Sequence, residues 1–363
     1  MQVLCVEHVL TVYGMTHVVL VYALLSRILS VLCSVIPVIF FNTGVPGAII
    51  GLTLASFGSF LVGMRLLTLP FKDVTRRKTD LTTADILRFS MPVFSSSLYG
   101  FVIGSASQFF VSRYLGVENF AMFANGYREL PIAGIVIGAV AGILLPEFSR
   151  MTKGGSDSKQ YLVLWKNVVL KSAAVIYPFS LYCCIFAPEI MGVLYGTVYR
   201  EAADLFRIVT IINLVRIVPY GPIMFALGKG KIFAKAHLVT ALLLLGLDFL
   251  CVTFFPSLSA IAIIATTTTV FCLVVLMVST ARLLNTGLSR LMPWKSMFKI
   301  LSVSTFSCFL GSCAVNLIGV TRDFPALLSG FLISIVIYLP LSYIAGINYA
   351  RLLKPLVSTN QRK

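Results

Sequence analysis

The sequence carries ten sparsely charged apolar runs of about twenty residues, the length a helix needs to cross about 30 Å of hydrocarbon. They fall at approximately residues 18–41, 46–68, 87–112, 120–145, 163–188, 203–227, 236–255, 258–281, 298–318 and 325–347. In hydrocarbon every backbone amide needs a partner inside the protein, so a spanning segment is either a helix or a strand of a closed barrel. Barrel strands alternate apolar and polar residues over about ten positions. These runs are continuous and are read as helices. Composition agrees, because 58% hydrophobic and 12% charged residues leave too few polar side chains to clothe a soluble globule of 363 residues. The expected fold class is all-α, a polytopic transmembrane helical bundle of about ten spans. Residues Met1 to Thr16 lack the basic segment and small-residue cleavage site of a signal peptide, so the first run is expected to stay in the protein.

The net charge of +16 has its place in this picture. The basic residues sit between apolar runs, without the aromatic-basic groove or binding-fold motif of a nucleic-acid reader, and nucleic acid is not expected as a partner. Eighteen of them fall in alternate connections, around Lys72–Lys78, Arg150–Lys159, Lys229–Lys235, Arg282–Lys299 and Arg351–Lys363. The intervening connections hold Arg113, Arg200 and Arg322. Cytoplasmic loops collect Lys and Arg, so 18 against 3 puts both termini in the cytoplasm. The segment Asp80–Arg88 has the pattern of an amphipathic turn at the interface.

No connection is long enough to fold as a catalytic domain, and the histidines, His8, His17 and His237, are scattered. A membrane enzyme such as a glycan polymerase or ligase is therefore not expected. The eight cysteines lie mostly inside apolar runs without CxxC spacing and read as small buried side chains, so no metal or other cofactor is expected. Gly134/Gly138/Gly142, Gly100/Gly104 and Gly47/Gly51 repeat the GxxxG spacing, which implies close helix contact or, alternatively, a sliding surface.

Three segments carry a family resemblance: Leu87–Leu98 (LRFSMPVFSSSL), Arg113–Tyr127 (RYLGVENFAMFANGY) and Leu145–Met151 (LPEFSRM). Together they resemble polysaccharide flippases of the Wzx type, within the multidrug/oligosaccharidyl-lipid/polysaccharide exporter superfamily. The resemblance implies two lobes around a central cavity with alternating access, translocating a lipid-linked oligosaccharide, a polyprenyl-diphosphate glycan, across the bacterial inner membrane. It implies membrane lipids as surroundings and glycan-assembly enzymes as neighbours. On this mapping residues 1–69 are a remnant of the first lobe with two spans. Residues 70–285 form the second six-helix lobe, and 286–363 an extra helix pair with a cytoplasmic tail. The first lobe is thus expected to be incomplete, with a partner supplying the missing helices; a nonfunctional, N-terminally truncated remnant is the alternative. A drug or cation antiporter of the same superfamily is a further alternative, disfavoured because the spans hold more Arg and Lys than Asp and Glu. Gln108, in Ser105–Ser112 (SASQFFVS), stands where relatives place an Asp, and an amide neither titrates nor binds a cation as a carboxylate does.

A flippase forms no covalent bond, so its chemistry is solvation of a diphosphate headgroup, for which Arg offers a planar two-pronged donor set. Ionisable residues within spans are costly there and are functional candidates by default. Arg216 stands mid-span in NLVRIVPYGP, where Pro219 and Pro222 should interrupt the helix and free carbonyls, so it is a headgroup ligand or a cap on those carbonyls. Arg207 has Asp204 one turn earlier as a partner. Arg27 is a cavity cation or a snorkelling side chain, and Lys171 poses the same pair of readings. Arg128, adjacent to Glu129, completes the substrate-binding candidates. Asp248, the deepest lone carboxylate, is expected to pair with an Arg on another helix, the alternative being a coupling site.

Overall fold

The computed structural model describes residues 4–71, 82–155, 157–320, 322–347 and 349. The basic residues of 72–78 and 351–363, and the first two residues of the Asp80–Arg88 turn, lie outside that set. Among the described residues there is no strand, and nine helices are long and apolar enough to cross a membrane. The chain is a multi-pass membrane protein. It divides into two compact units, Met1–Thr82 and Thr83–Lys363.

The first unit holds α1 (Leu4–Val12), α2 (Thr16–Phe41) and α3 (Gly44–Leu66). Pro37 lies within the last turns of α2, and both the amide and the hydroxyl of Thr43 donate to its carbonyl, the hydroxyl at 2.8 Å. The α2–α3 contact is close at Gly51, where a Cβ would overlap the Cys33 carbonyl. Tyr22 Oη donates to Ser59 O at 3.0 Å across the same hairpin.

The second unit runs α4 (Thr83–Tyr114), α5 (Val117–Gly126), α6 (Pro131–Lys153), α7 (Ser158–Ile185), α8 (Ala187–Tyr195), α9 (Ala203–Thr210), α10 (Ile212–Val215), α11 (Gly221–Ala226), α12 (Gly230–Phe254), α13 (Leu258–Leu283), α14 (Leu288–Leu291), α15 (Trp294–Ile318) and α16 (Asp323–Ile344). Its core contains Phe123, Leu144, Phe148, Trp165, Ile176 and Met191, all wholly or almost wholly buried. Large apolar residues such as Phe101, Phe109, Leu242 and Phe249 point outward, which suits a lipid solvent. The GxxxG spacings behave differently from one another. An added Cβ on Gly100, Gly104, Gly134, Gly138 or Gly142 would meet nothing within 4 Å among the described residues. Close packing is therefore corrected to the Gly51 contact alone, since the Cβ of Gly47 would meet only Thr43 of its own helix turn.

The run 203–227 is not one helix. It breaks into α9, α10 and α11, with Arg216 to Tyr220 outside helical structure, as Pro219 and Pro222 require. The segment still travels the depth of a crossing, and three contacts with α7 trace it. Arg207 Nε donates to Cys184 O at 3.2 Å; Tyr177 Oη donates to Leu214 O at 3.0 Å; the rings of Trp165 and Tyr220 stand 5.5 Å apart. From Cys184 to Trp165 the α7 axis runs about 28 Å, close to the hydrocarbon thickness. Residues 207–220 descend antiparallel to it, giving an interrupted crossing beside the nine continuous ones. Arg216 falls between the levels of Tyr177 and Trp165, near mid-depth.

The run 120–145 is also discontinuous, which hydropathy did not indicate. Helix α5 stops at Gly126, residues 127–130 leave helical geometry, and α6 starts with Pro131 at its first position and extends to Lys153. Proline at that position is pre-set for a helix start, and its ring pushes Leu130 into extended geometry, observed at φ −64° and ψ 122°. Gly126 is needed where the chain turns, because a Cβ there would lie 2.8 Å from the Ala202 Cβ.

Ten crossings with the charge asymmetry of the sequence predict the connection at Ser257 on the non-cytoplasmic side and that at Lys231 in the cytoplasm. A phosphatase reporter fused after Ser257 should be active and one fused after Lys231 inactive; the opposite pattern would invert the orientation.

Candidate functional site

Three helices of the second unit each contribute one face to a cavity of about 700 Å³. Helix α4 gives Gly100, Ile103, Gly104, Ser107 and Gln108, and α13 gives Ala265, Thr269, Cys272, Leu273 and Leu276. The spacings of three, four, seven, eight and eleven residues place each set on one helical face. From α12 come His237 and Thr240. The glycines, without side chains, widen the α4 wall. The hydroxyls of Thr240 and Thr269 donate back to Ala236 O and Ala265 O, and His237 Nδ1 lies 2.9 Å from Phe233 O.

The charged part of the wall comes from the two helix interruptions. Asn125 near the end of α5, Tyr127–Glu129 of the first break and Arg216 of the second all line the cavity. Tyr127 is held by a 3.1 Å hydrogen bond between its hydroxyl and Thr266 Oγ1 and by stacking on Phe123. That anchor fixes where Arg128 and Glu129 emerge. Arg216 Nη2 donates to Glu129 Oε2 in an ion pair that ties the two breaks together. The Arg216 side chain is 24% exposed and that of Glu129 46%, so the pair faces the cavity and is open to exchange. The Nε of Arg216 is buried without a partner. A carboxylate, not the freed carbonyls, is thus its recorded partner, and one such carbonyl, that of Leu214, is taken by Tyr177. Arg128, exposed, borders the cavity and also a second, more apolar one of about 620 Å³ towards Phe179, Tyr182 and Leu194.

The remaining candidates of the second unit are not gathered here. Arg207 makes a 2.8 Å ion pair with Asp204 at the end of the crossing level with Cys184. Lys171 is half-buried on α7 and outside the cavity lining, and Arg27 is exposed on α2 of the first unit. Glu147 and Arg150 of the LPEFSRM segment pair with each other at 2.6 Å.

Asp248 corrects an expectation. It is wholly buried, and its recorded partner is the Ser107 hydroxyl, which donates to Oδ2 at 2.7 Å. No basic group lies within ion-pair distance among the described residues, and Oδ1 has no partner. The carboxyl joins α12 to α4 behind the cavity wall, through Ser107, which lines the cavity. His237, Thr240, Leu244 and Asp248 fall on one face of α12, a stripe visible in the sequence from its helical spacing.

If Asp248 neutralised a hidden cation, removing its charge would strand that cation at a cost of about 3–5 kcal/mol. With Ser107 as its partner, Asp248→Asn keeps a hydrogen bond of similar shape. The melting temperature of Asp248→Asn protein should lie within a few degrees of the parent, whereas a fall of about 10 °C or more would reveal a buried ion pair.

Comparison with known proteins places these features. The structure is similar to that of the lipid II flippase MurJ in an inward closed conformation, with TM-score 0.57 and 16% sequence identity over 88% of this chain and 65% of that one. The likeness establishes the fold, and the chain spans about two-thirds of that protein's length. No curated protein matches. Residues 13–204, more than half of the sequence, match the family described as polysaccharide biosynthesis protein. They include the LRFSMP segment, the break at 127–130 and the LPEFSRM segment, and on that match the chain belongs to the polysaccharide biosynthesis protein family.

Proposed function

We propose that this protein moves a lipid-linked oligosaccharide, a polyprenyl-diphosphate glycan, across the bacterial inner membrane by alternating access, without covalent chemistry. The observation that carries the reading is the placement of Arg216 and Arg128 on helix breaks at the wall of a polar cavity within a membrane-spanning bundle. A guanidinium at mid-depth is expensive unless the site handles charge, and its planar donors match phosphate oxygens. The neighbouring apolar cavity shares Asn125, Arg128 and Glu129 with the polar one, so Arg128 stands at a polar–apolar boundary as the headgroup of an amphiphile would. The polysaccharide family and the flippase fold support the same substrate class. A cation antiporter fits less well, because the carboxylate that lines the cavity, Glu129, is already committed to Arg216. Glycan-assembly enzymes, as neighbours, belong to this proposal.

Arg216→Lys keeps the charge but loses the fork, and Arg216→Ala loses both. Affinity for a lipid-linked diphosphate glycan should fall about tenfold in the first and about a hundredfold in the second, on the scale of one and then two lost charge-assisted bonds. Melting temperature measured alongside separates binding from folding. A stable Arg216→Ala protein with undiminished affinity would rule the headgroup role out.

A further inference from the structure

The guanidinium of Arg216 already holds an anion, the carboxylate of Glu129, and that carboxylate comes from the residue next to Arg128. The three charges sum to one net positive charge at the cavity wall. A ligand with a single negative charge is matched by Arg128 alone and leaves the Arg216–Glu129 pair closed. A dianion is not matched by Arg128 alone. It gains its second attraction by drawing on Arg216, which means displacing Glu129. Exchanging one carboxylate for one phosphate oxygen at Arg216 is close to neutral by itself, whereas a ligand bridging both guanidiniums adds a second Coulomb attraction.

From this geometry we propose that Glu129 is a specificity-determining residue, a built-in competitor that rejects monoanionic phosphodiester lipids, the bulk of a bilayer's anionic headgroups, and admits a dianionic diphosphate. The inference rests on the headgroup-binding role of Arg216. Discrimination comes from access to Arg216: Glu129 closes it to a monoanion, which has no second charge to repay opening the pair, and yields it to a dianion, which has. Because the same pair joins residues 127–130 to residue 216, the ligand that displaces Glu129 also unties the two helix breaks. Glu129, at 46% side-chain exposure, has room to swing away from Arg216.

The test compares two probes on the purified full chain: a short-chain prenyl-diphosphate N-acetylglucosamine as dianion and a short-chain phosphatidylglycerol as monoanion. The parent should prefer the diphosphate by about tenfold or more. Glu129→Gln should tighten phosphatidylglycerol about tenfold and the diphosphate by about threefold or less, so the preference shrinks. Glu129→Asp, which keeps the charge on a shorter stem, should fall between the two and serves if the Gln variant folds poorly. A preference unchanged in both variants, while Arg216→Ala still loses the diphosphate, overturns the filter and leaves the binding role of Arg216 standing. Full diphosphate affinity in Arg216→Ala overturns both.

Discussion

In hydrocarbon an amide without a partner costs several kcal/mol, and the architecture of this protein follows from where that cost is met and where it is not. Among the described residues, nine long helices meet it by internal hydrogen bonds. Two places do not, residues 127–130 and 216–220, and both are set by prolines that remove donors and bar helical geometry, Pro131 in one and Pro219 with Pro222 in the other. Irregular backbone at such depth is tolerated only in protein interior or against a hydrated cavity. The site exists because both breaks open onto the same cavity.

The fold was legible to the extent that it follows from hydropathy, which reports the solvent of a segment but not its continuity. Length and apolarity located every crossing, and Pro219 with Pro222 indicated the break beside Arg216. The break before Pro131 was missed because 120–145 reads as uniformly apolar when the proline is taken as tolerated inside a span. It is instead a helix start, which moves α6 eight residues beyond the expected end, to Lys153. The glycine repeats misled for a related reason. GxxxG spacing shows that a helix face is smooth, not what lies against it; on α4 it faces open space in the cavity, and on α6 an added Cβ would meet no neighbour.

Site residues were legible singly and illegible as partners. Arg216 was conspicuous because a cation in an apolar run is rare, but its partner Glu129 lies 87 positions away, and no sequence spacing predicts a pair made through tertiary packing. For the same reason Asp248 was assigned an arginine by charge balance, whereas packing of α4 against α12 supplies a serine hydroxyl from 141 positions away. Arg207 and Asp204, three residues apart on one helix, were the pair that local geometry could specify. Lys171 stands within an apolar run, which reports its depth but not its azimuth, and it does not line the cavity.

The two kinds of charge in the second unit have opposite physical demands. Asp248 is wholly enclosed and bonded at one oxygen by the Ser107 hydroxyl, so changing its charge acts on the packing of α4 against α12 and reaches the cavity through Ser107, which lines it. Arg216 and Glu129 are partly exposed on non-helical joints, so a change in what they bind acts on backbone that has few helical hydrogen bonds to resist it. A ligand shifts a conformational equilibrium only as far as its contacts differ between the states. Contacts made to the joints meet that condition more readily than contacts to the middle of a continuous helix, because the joints are where the backbone can change. Under the proposed headgroup role, guanidiniums placed on the breaks couple anion binding to the part of the fold best able to move, with the same prolines that interrupt the helices.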